Sequence, residues 1–173
     1  MLDYNKLREE YKPDSIRLLL IGEAPPDRGN RYFYEAPVKE YDYLFMAVFQ
    51  AIDEVSFYEY KKADRPKEMK ETILSTLRYK GVFVTDLCHI PEDKLPDRMT
   101  TLSFSEDFVK EIKSLPLADD CKIIIFKAGG KIKPLLDKEG IECEIVSLSR
   151  GEEGSKGLFI SRFRELYQGL KRR

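Results

Sequence analysis

The chain has 173 residues, of which 30 are Lys or Arg and 31 are Asp or Glu, so its formal net charge is −1. This length is typical of one domain, and a hydrophobic fraction of 42% is enough for a buried core, which excludes disordered and fibrous classes. The balanced charge removes the simplest argument for tight nucleic-acid binding, because such domains usually carry a basic excess. We therefore treat residues 1–173 as a single domain with a mixed-charge surface.

Targeting signals and metal motifs are missing from the sequence. No apolar run approaches the roughly 18 residues of a membrane span, and the N-terminus lacks a basic segment followed by an apolar one, which predicts a cytoplasmic protein. The three cysteines (Cys88, Cys121 and Cys143) are widely spaced beside a single His, so we expect no disulfide, no metal and no cofactor. Abundant Lys and Glu with rare Asn and Gln are typical of proteins from thermophiles.

Hydrophobic periodicity predicts helices that alternate with strands. In chain order, the sequence predicts a helix around 4–11, a strand at 16–21, helices at 41–52 and 69–77, a strand at 82–87, a helix near 103–112, a strand at 123–126, a helix at 131–138, a strand at 144–148 and a helix at 159–170. Short apolar strands between helices indicate a mainly parallel sheet covered on both faces. The predicted fold is α/β, a three-layer α/β/α sandwich with a four-stranded central sheet.

The first predicted strand ends in the segment Gly22-Glu23-Ala24-Pro25-Pro26. In parallel sheets, ligands bind beyond the carboxyl ends of the strands, near a topological switch point. Partial desolvation there raises the pKa of a carboxylate and suits it to activate water, so Glu23 is the first catalytic candidate. The alternative is that Glu23 accepts hydrogen bonds from the amides of its own turn.

An aromatic triplet, Tyr32-Phe33-Tyr34, follows about ten residues later. Such rings can provide a flat surface on which a base stacks. The alternative is that they pack the loop onto the sheet.

These features resemble the uracil-DNA glycosylase superfamily. The segment Ile21-Gly22-Glu23-Ala24-Pro25 after an apolar strand, the downstream aromatics, and the strand 82–86 followed by Pro91 are similar to the thermophilic Gly-Glu-Ala-Pro-Gly branch. The order of elements agrees over nearly the whole chain. The resemblance implies DNA or a nucleotide as partner and assigns one role to each matching position: Glu23 activates water or stabilises the cation, Phe33 or Tyr34 stacks on the flipped base, Asp86 takes the place of the Asn that reads the base edge, and Gly22, Ala24 and Pro25 line the base.

The sequence departs from this family at several points. The last loop reads Ser147-Leu148-Ser149-Arg150-Gly151, without the His of the family, so Ser149, Arg150 or a backbone amide would have to stabilise the departing base or hold a phosphate. Arg150 is alternatively a solvated loop charge. The four cysteines that hold an iron–sulfur cluster in that branch have no equivalent, and we predict no cluster.

Asp86 changes the readout of the base. Uracil presents an N–H donor beside a carbonyl acceptor, whereas an ionised carboxylate can only accept. Three interpretations are open: Asp86 is protonated, the base presents an exocyclic amine, or Asp86 only caps the turn before Pro91.

The sequence therefore predicts a monomer that binds a flipped nucleobase at the strand ends and hydrolyses its N-glycosidic bond without a metal, with Glu23 activating water. The alternative is a catalytically silent nucleic-acid-binding or nucleotide-binding protein of the same fold. A third hypothesis is a fold that now serves an unrelated small molecule or protein.

Overall fold

A computed structural model describes residues 3–27, 31–36, 42–149 and 154–170 of the chain. In chain order, the elements of this part are α1 (Tyr4–Glu10), β1 (Ile16–Gly22), α2 (Tyr43–Ile52), α3 (Glu54–Lys62), α4 (Lys67–Tyr79), β2 (Val82–Asp86), two short 3-10 helices (Glu92–Lys94 and Thr101–Phe104), α5 (Ser105–Ser114), β3 (Leu117–Ile125), α6 (Gly129–Lys138), β4 (Glu144–Ile145) and α7 (Ser155–Leu170). The predicted α/β class is confirmed.

The four strands form one parallel sheet in the order β2-β1-β3-β4. From β1 the chain passes to β2 on one side, and it then returns to β3 on the other side of β1. The strand order therefore reverses between β1 and β3, and the carboxyl ends of these two strands flank the place where ligands usually bind.

Helices cover both faces of the sheet and complete the three-layer sandwich. Helix α7 packs against β1 and α2, whereas α6 packs against β3 and α5. Strand β1 is buried almost throughout, as its continuous apolar run from Leu18 to Ile21 requires for a central parallel strand. None of the helices in the described ranges is long and apolar enough to cross a membrane.

Three details differ from the sequence predictions. Helix α3 was not predicted, because it buries only Phe57 and Tyr60 along a polar segment. Strand β3 begins at Leu117, six residues before its apolar run, and contains a register shift against β1. The helix predicted near 103–112 begins as a 3-10 helix, whose capping box joins Thr100 and Ser103, and α5 itself begins at Ser105.

Candidate functional site

A cavity of about 710 Å³ lies at the carboxyl ends of the strands. This volume is within the range of pockets that hold small organic ligands. All four strand ends and the start of α2 contribute to the wall, whose residues are 24–27, 31–33, 42–44, 84, 86, 92, 93, 126–128 and 147–149. The cavity therefore occupies the position that the strand order favours for a ligand.

Asp86 is a buried carboxylate on the wall of this cavity. It ends β2 opposite Gly22 of β1, and 9% of the residue is exposed. No hydrogen bond to its side chain comes from any residue that the structure describes, so the turn-cap interpretation has no support in the geometry. Burial raises the pKa of Asp86 to about 6, against the opposing charges of His89, Arg8 and Lys127.

Phe126 is an aromatic ring of the cavity wall close to Asp86, and the sequence analysis did not select it. Its amide donates to the carbonyl of Ile21, which fixes Phe126 at the end of β3 beside β1. A Cβ on Gly22 would lie 2.6 Å from Cζ of Phe126 and would also collide with Oδ1 of Asp86. The glycine thus leaves room for the ring and the carboxylate to meet above the end of β1. The available signal was its position as the last residue of the strand predicted at 123–126.

Glu23 lies outside the cavity wall, although its neighbours Ala24 and Pro25 belong to it. Its carboxylate accepts a hydrogen bond from Thr101 at 3.1 Å and forms an ion pair with Lys131 of α6. Burial alone would raise the pKa of Glu23, but the hydrogen bonds from Lys131 and Thr101 hold it below its ordinary value. The expectation of a raised pKa at Glu23 is therefore wrong, because a cation lies beside the carboxylate.

The aromatic triplet mainly packs the loop onto the sheet. The Tyr34 hydroxyl donates to the carbonyl of Val84 at 3.1 Å and accepts from its amide at 2.7 Å, which satisfies both groups on the outer edge of β2. Tyr34 therefore lies in the core and not on the cavity wall, which corrects its assignment as a stacking ring. Phe33 does line the cavity, but only 5% of it is exposed, and its ring packs edge-on against Tyr34 and Phe45.

Ser149 and Arg150 of the last loop are the remaining predicted site residues. Ser149 lines the cavity beside Ser147 and Leu148. Its carbonyl accepts a hydrogen bond from the Ser155 hydroxyl at 2.7 Å, which joins the last loop to the first turn of α7. Arg150 lies outside the described residues.

A polar cluster surrounds Thr85, the residue that precedes Asp86 in β2. Arg8 donates to the Thr85 hydroxyl at 3.0 Å and pairs with Glu111 at 3.2 Å, and Glu111 also contacts His89. His89, the single His of the chain, thus has two charged neighbours. The cluster places Arg8 and His89 near Asp86, where both lower the pKa of its carboxyl group.

A buried ion pair lies at the part of the cavity wall that the start of α2 forms. Lys70 of α4 is fully buried and donates to Asp42 at 3.0 Å and to the carbonyl of Tyr32 at 3.1 Å. Asp42 lines the cavity and also accepts from the amide of Phe45 at the start of α2. One ammonium group therefore fixes the aromatic segment relative to α2 and α4.

Within the ranges that the structure describes, no group of three or more His, Cys, Asp or Glu side chains is arranged to hold a metal ion. Cys88 is buried, and Cys121 and Cys143 are partly exposed free thiols.

Comparisons of the chain with protein-family models, curated proteins and solved structures gave no match. The resemblance to the uracil-DNA glycosylase superfamily thus depends on the quoted motifs alone. Because one fold can serve many functions, the residues of the site are what bear on the function of this chain.

Proposed function

We propose that this chain binds a nucleobase in the strand-end cavity, either as a nucleoside or nucleotide or as an extruded base of a nucleic acid, with Asp86 as its polar contact. The observation that carries this proposal is a buried carboxylate without a hydrogen-bond partner among the described residues, next to the Phe126 ring. The described side-chain atoms that are fully buried without a partner do not include the Asp86 oxygens, so these oxygens are open to the cavity, where the donors of a bound ligand can reach them.

The chemistry of the wall fits a flat heteroaromatic ligand. Stacking of a base on an aromatic side chain contributes about 1 to 3 kcal/mol, and Phe126 offers a ring at the strand ends. Asp86 supplies hydrogen-bond acceptors at the same place. An apolar surface together with a few convergent polar groups is typical of small-molecule sites.

Hydrolysis of the N-glycosidic bond is the second candidate function, and one observation favours it. A carboxylate whose pKa lies at about 6 is suited to act as a general base near neutral pH, and Asp86 is such a group within the cavity. In that reaction Asp86 accepts a proton from the water whose oxygen bonds to C1′, while the C1′–N bond breaks and the base leaves with the bonding electron pair and takes a proton from solvent. Glu23, the base implied by the resemblance, would first have to leave Lys131.

The test combines binding with catalysis. Binding of nucleosides and of oligonucleotides is measured by calorimetry, and strand incision at abasic sites is measured after incubation with oligonucleotides that contain uracil, hypoxanthine or xanthine. Four proteins are compared: the wild type, Asp86→Ala, Glu23→Gln and, as a control, Asp107→Asn at an exposed carboxylate of α5.

Binding that Asp86→Ala abolishes and Glu23→Gln retains, without incision, supports the base-binding function. Incision that stops in Asp86→Ala supports hydrolysis by Asp86, whereas incision that stops only in Glu23→Gln supports the assignment from the resemblance. Absence of both binding and incision in the wild type would exclude the proposal.

A further inference from the structure

The position of Asp86 on the cavity wall bears on the choice of base, and the inference drawn from it rests on the proposed base-binding function. Both carboxylate oxygens of Asp86 remain without a hydrogen bond from the described residues, and its Oδ1 and the Phe126 ring both approach Gly22 at the end of β1. A ligand stacked near that ring would present one of its edges to the two oxygens.

The common bases differ in the donors on that edge. An ionised carboxylate accepts at two oxygens, and paired parallel N–H donors match it best, as they do in Arg–carboxylate pairs. Guanine presents two adjacent donors, its ring N1–H and its exocyclic amine. Uracil and hypoxanthine present a single ring N–H, and adenine and cytosine place an accepting ring nitrogen beside the amine.

We propose that Asp86 selects a guanine-type base by accepting two parallel hydrogen bonds, one from the ring N–H and one from the exocyclic amine. The Phe126 ring stacks on the same base and contributes affinity without discriminating between bases, because every base has a π-face. Selectivity and affinity are thus assigned to two different side chains.

The charges around Asp86 are consistent with the ionised form that this contact requires. Burial and the carboxylate of Glu111 on α5 raise the pKa of Asp86, whereas His89, Arg8 on α1 and Lys127 after β3 lower it. With a pKa of about 6, the group is mostly ionised at slightly alkaline pH.

The experiment compares guanosine with inosine, which lacks only the exocyclic amine. Calorimetric titrations at slightly alkaline pH are performed with both nucleosides and with adenosine, cytidine and uridine. We expect guanosine to bind most tightly, about 10- to 100-fold better than inosine, which is the contribution of one hydrogen bond to a charged group.

Two variants separate selectivity from stacking. Asp86→Asn replaces one acceptor by a donor and should bind guanosine and inosine with similar affinity. Phe126→Leu should weaken both nucleosides equally and keep their ratio. Circular dichroism and thermal unfolding confirm that each variant is folded.

The outcomes distinguish this inference from the proposed function. Equal binding of guanosine and inosine by the wild type, or an unchanged ratio in Asp86→Asn, would overturn the guanine-type contact and leave base binding intact. If none of the five nucleosides and no oligonucleotide binds, the proposed function itself fails.

Discussion

The buried carboxylate of Asp86 destabilises the folded protein at neutral pH. Its pKa rises from 3.8 to about 6, so the native state holds the proton more tightly than the unfolded chain. Below about pH 4 the Asp86 carboxyl group is protonated in both states, and its burial does not lower the free energy of unfolding. As the pH increases through 6, the buried group ionises and the free energy of unfolding falls. Asp86→Asn should therefore raise the free energy of unfolding by about 2 to 3 kcal/mol above pH 7, because one pKa unit corresponds to about 1.4 kcal/mol.

Urea unfolding of the wild type and of Asp86→Asn across the pH range measures this difference. The two curves should converge at about pH 4, near the pKa of an unperturbed Asp. The control Asp107→Asn, at an exposed position, should show no such trend. A difference that does not change with pH would contradict the burial argument. A lower free energy of unfolding is expected at a site where function requires a polar group that the protein itself does not hydrogen-bond.

The catalytic candidate from the sequence, Glu23, lies one residue beyond β1, and Asp86 is the last residue of β2. Sequence patterns located both strand ends to within one residue, with strands predicted at 16–21 and 82–87. They could not show which layer each side chain faces. Glu23 reaches Lys131 on α6, whereas Asp86 shares the cavity with residues of α2 on the other face of the sheet. That difference depends on strand register and helix placement, which one sequence does not contain.

At the scale of elements, the ion pair of Lys70 and Asp42 joins α4 to the start of α2. Burial lowers the pKa of Lys70 and raises that of Asp42, so each charge depends on the other. Lys70→Met should cost about 3 to 5 kcal/mol, because it leaves an uncompensated buried carboxylate. Combining it with Asp42→Asn removes that charge and keeps an oxygen for the amide of Phe45.

A double-mutant cycle from urea unfolding tests this dependence. We expect a coupling energy of about 1 to 3 kcal/mol, with the double variant more stable than Lys70→Met alone. Strictly additive effects of the two substitutions would mean that the pair does not hold these helices together.

The end of β1 also depends on the absence of a side chain at Gly22. A methyl group there would meet Phe126 and Asp86, so Gly22→Ala should cost about 1 to 3 kcal/mol and should abolish nucleoside binding. Gly130→Ala is the matched control, since a Cβ at Gly130 has open space and alanine favours the helix by up to about 1 kcal/mol. Urea unfolding and calorimetry measure both effects. Unchanged binding in Gly22→Ala would show that the ring and the carboxylate can move without loss.

The helices and strands that the sequence predicted best are those in which buried apolar residues alternate clearly with exposed polar residues. Helix α2 buries most of its length, and its stripe was visible in the sequence. Strand β4 has only two residues, although the apolar pattern extended to Leu148. The pattern continued because Leu148 packs partly against the core and its amide donates to the carbonyl of Phe126, although it is not in the strand. Hydrophobic periodicity reports burial, and burial continues beyond the strand into the cavity wall.

At the scale of the whole molecule, all four strand ends contribute to one cavity, so a ligand there contacts segments distant in sequence. A ligand that binds only the folded state stabilises it by about 2.7 kcal/mol at a concentration of 100 times its Kd. For a chain of 173 residues, this corresponds to an increase in Tm of about 5 to 10 °C. Thermal unfolding of the wild type with and without guanosine measures the shift.

The same experiment on variants shows whether the shift arises in the cavity. Asp86→Asn should reduce the shift caused by guanosine at a fixed concentration, because its affinity is lower, although its own Tm without ligand is higher at neutral pH. Asp107→Asn should keep the full shift, because its side chain is exposed on α5 and does not line the cavity. An equal shift in both variants would place the ligand outside the cavity. An opposite response of basal stability and ligand stabilisation in Asp86→Asn is expected only if the group that destabilises the empty protein is also the group that holds the ligand.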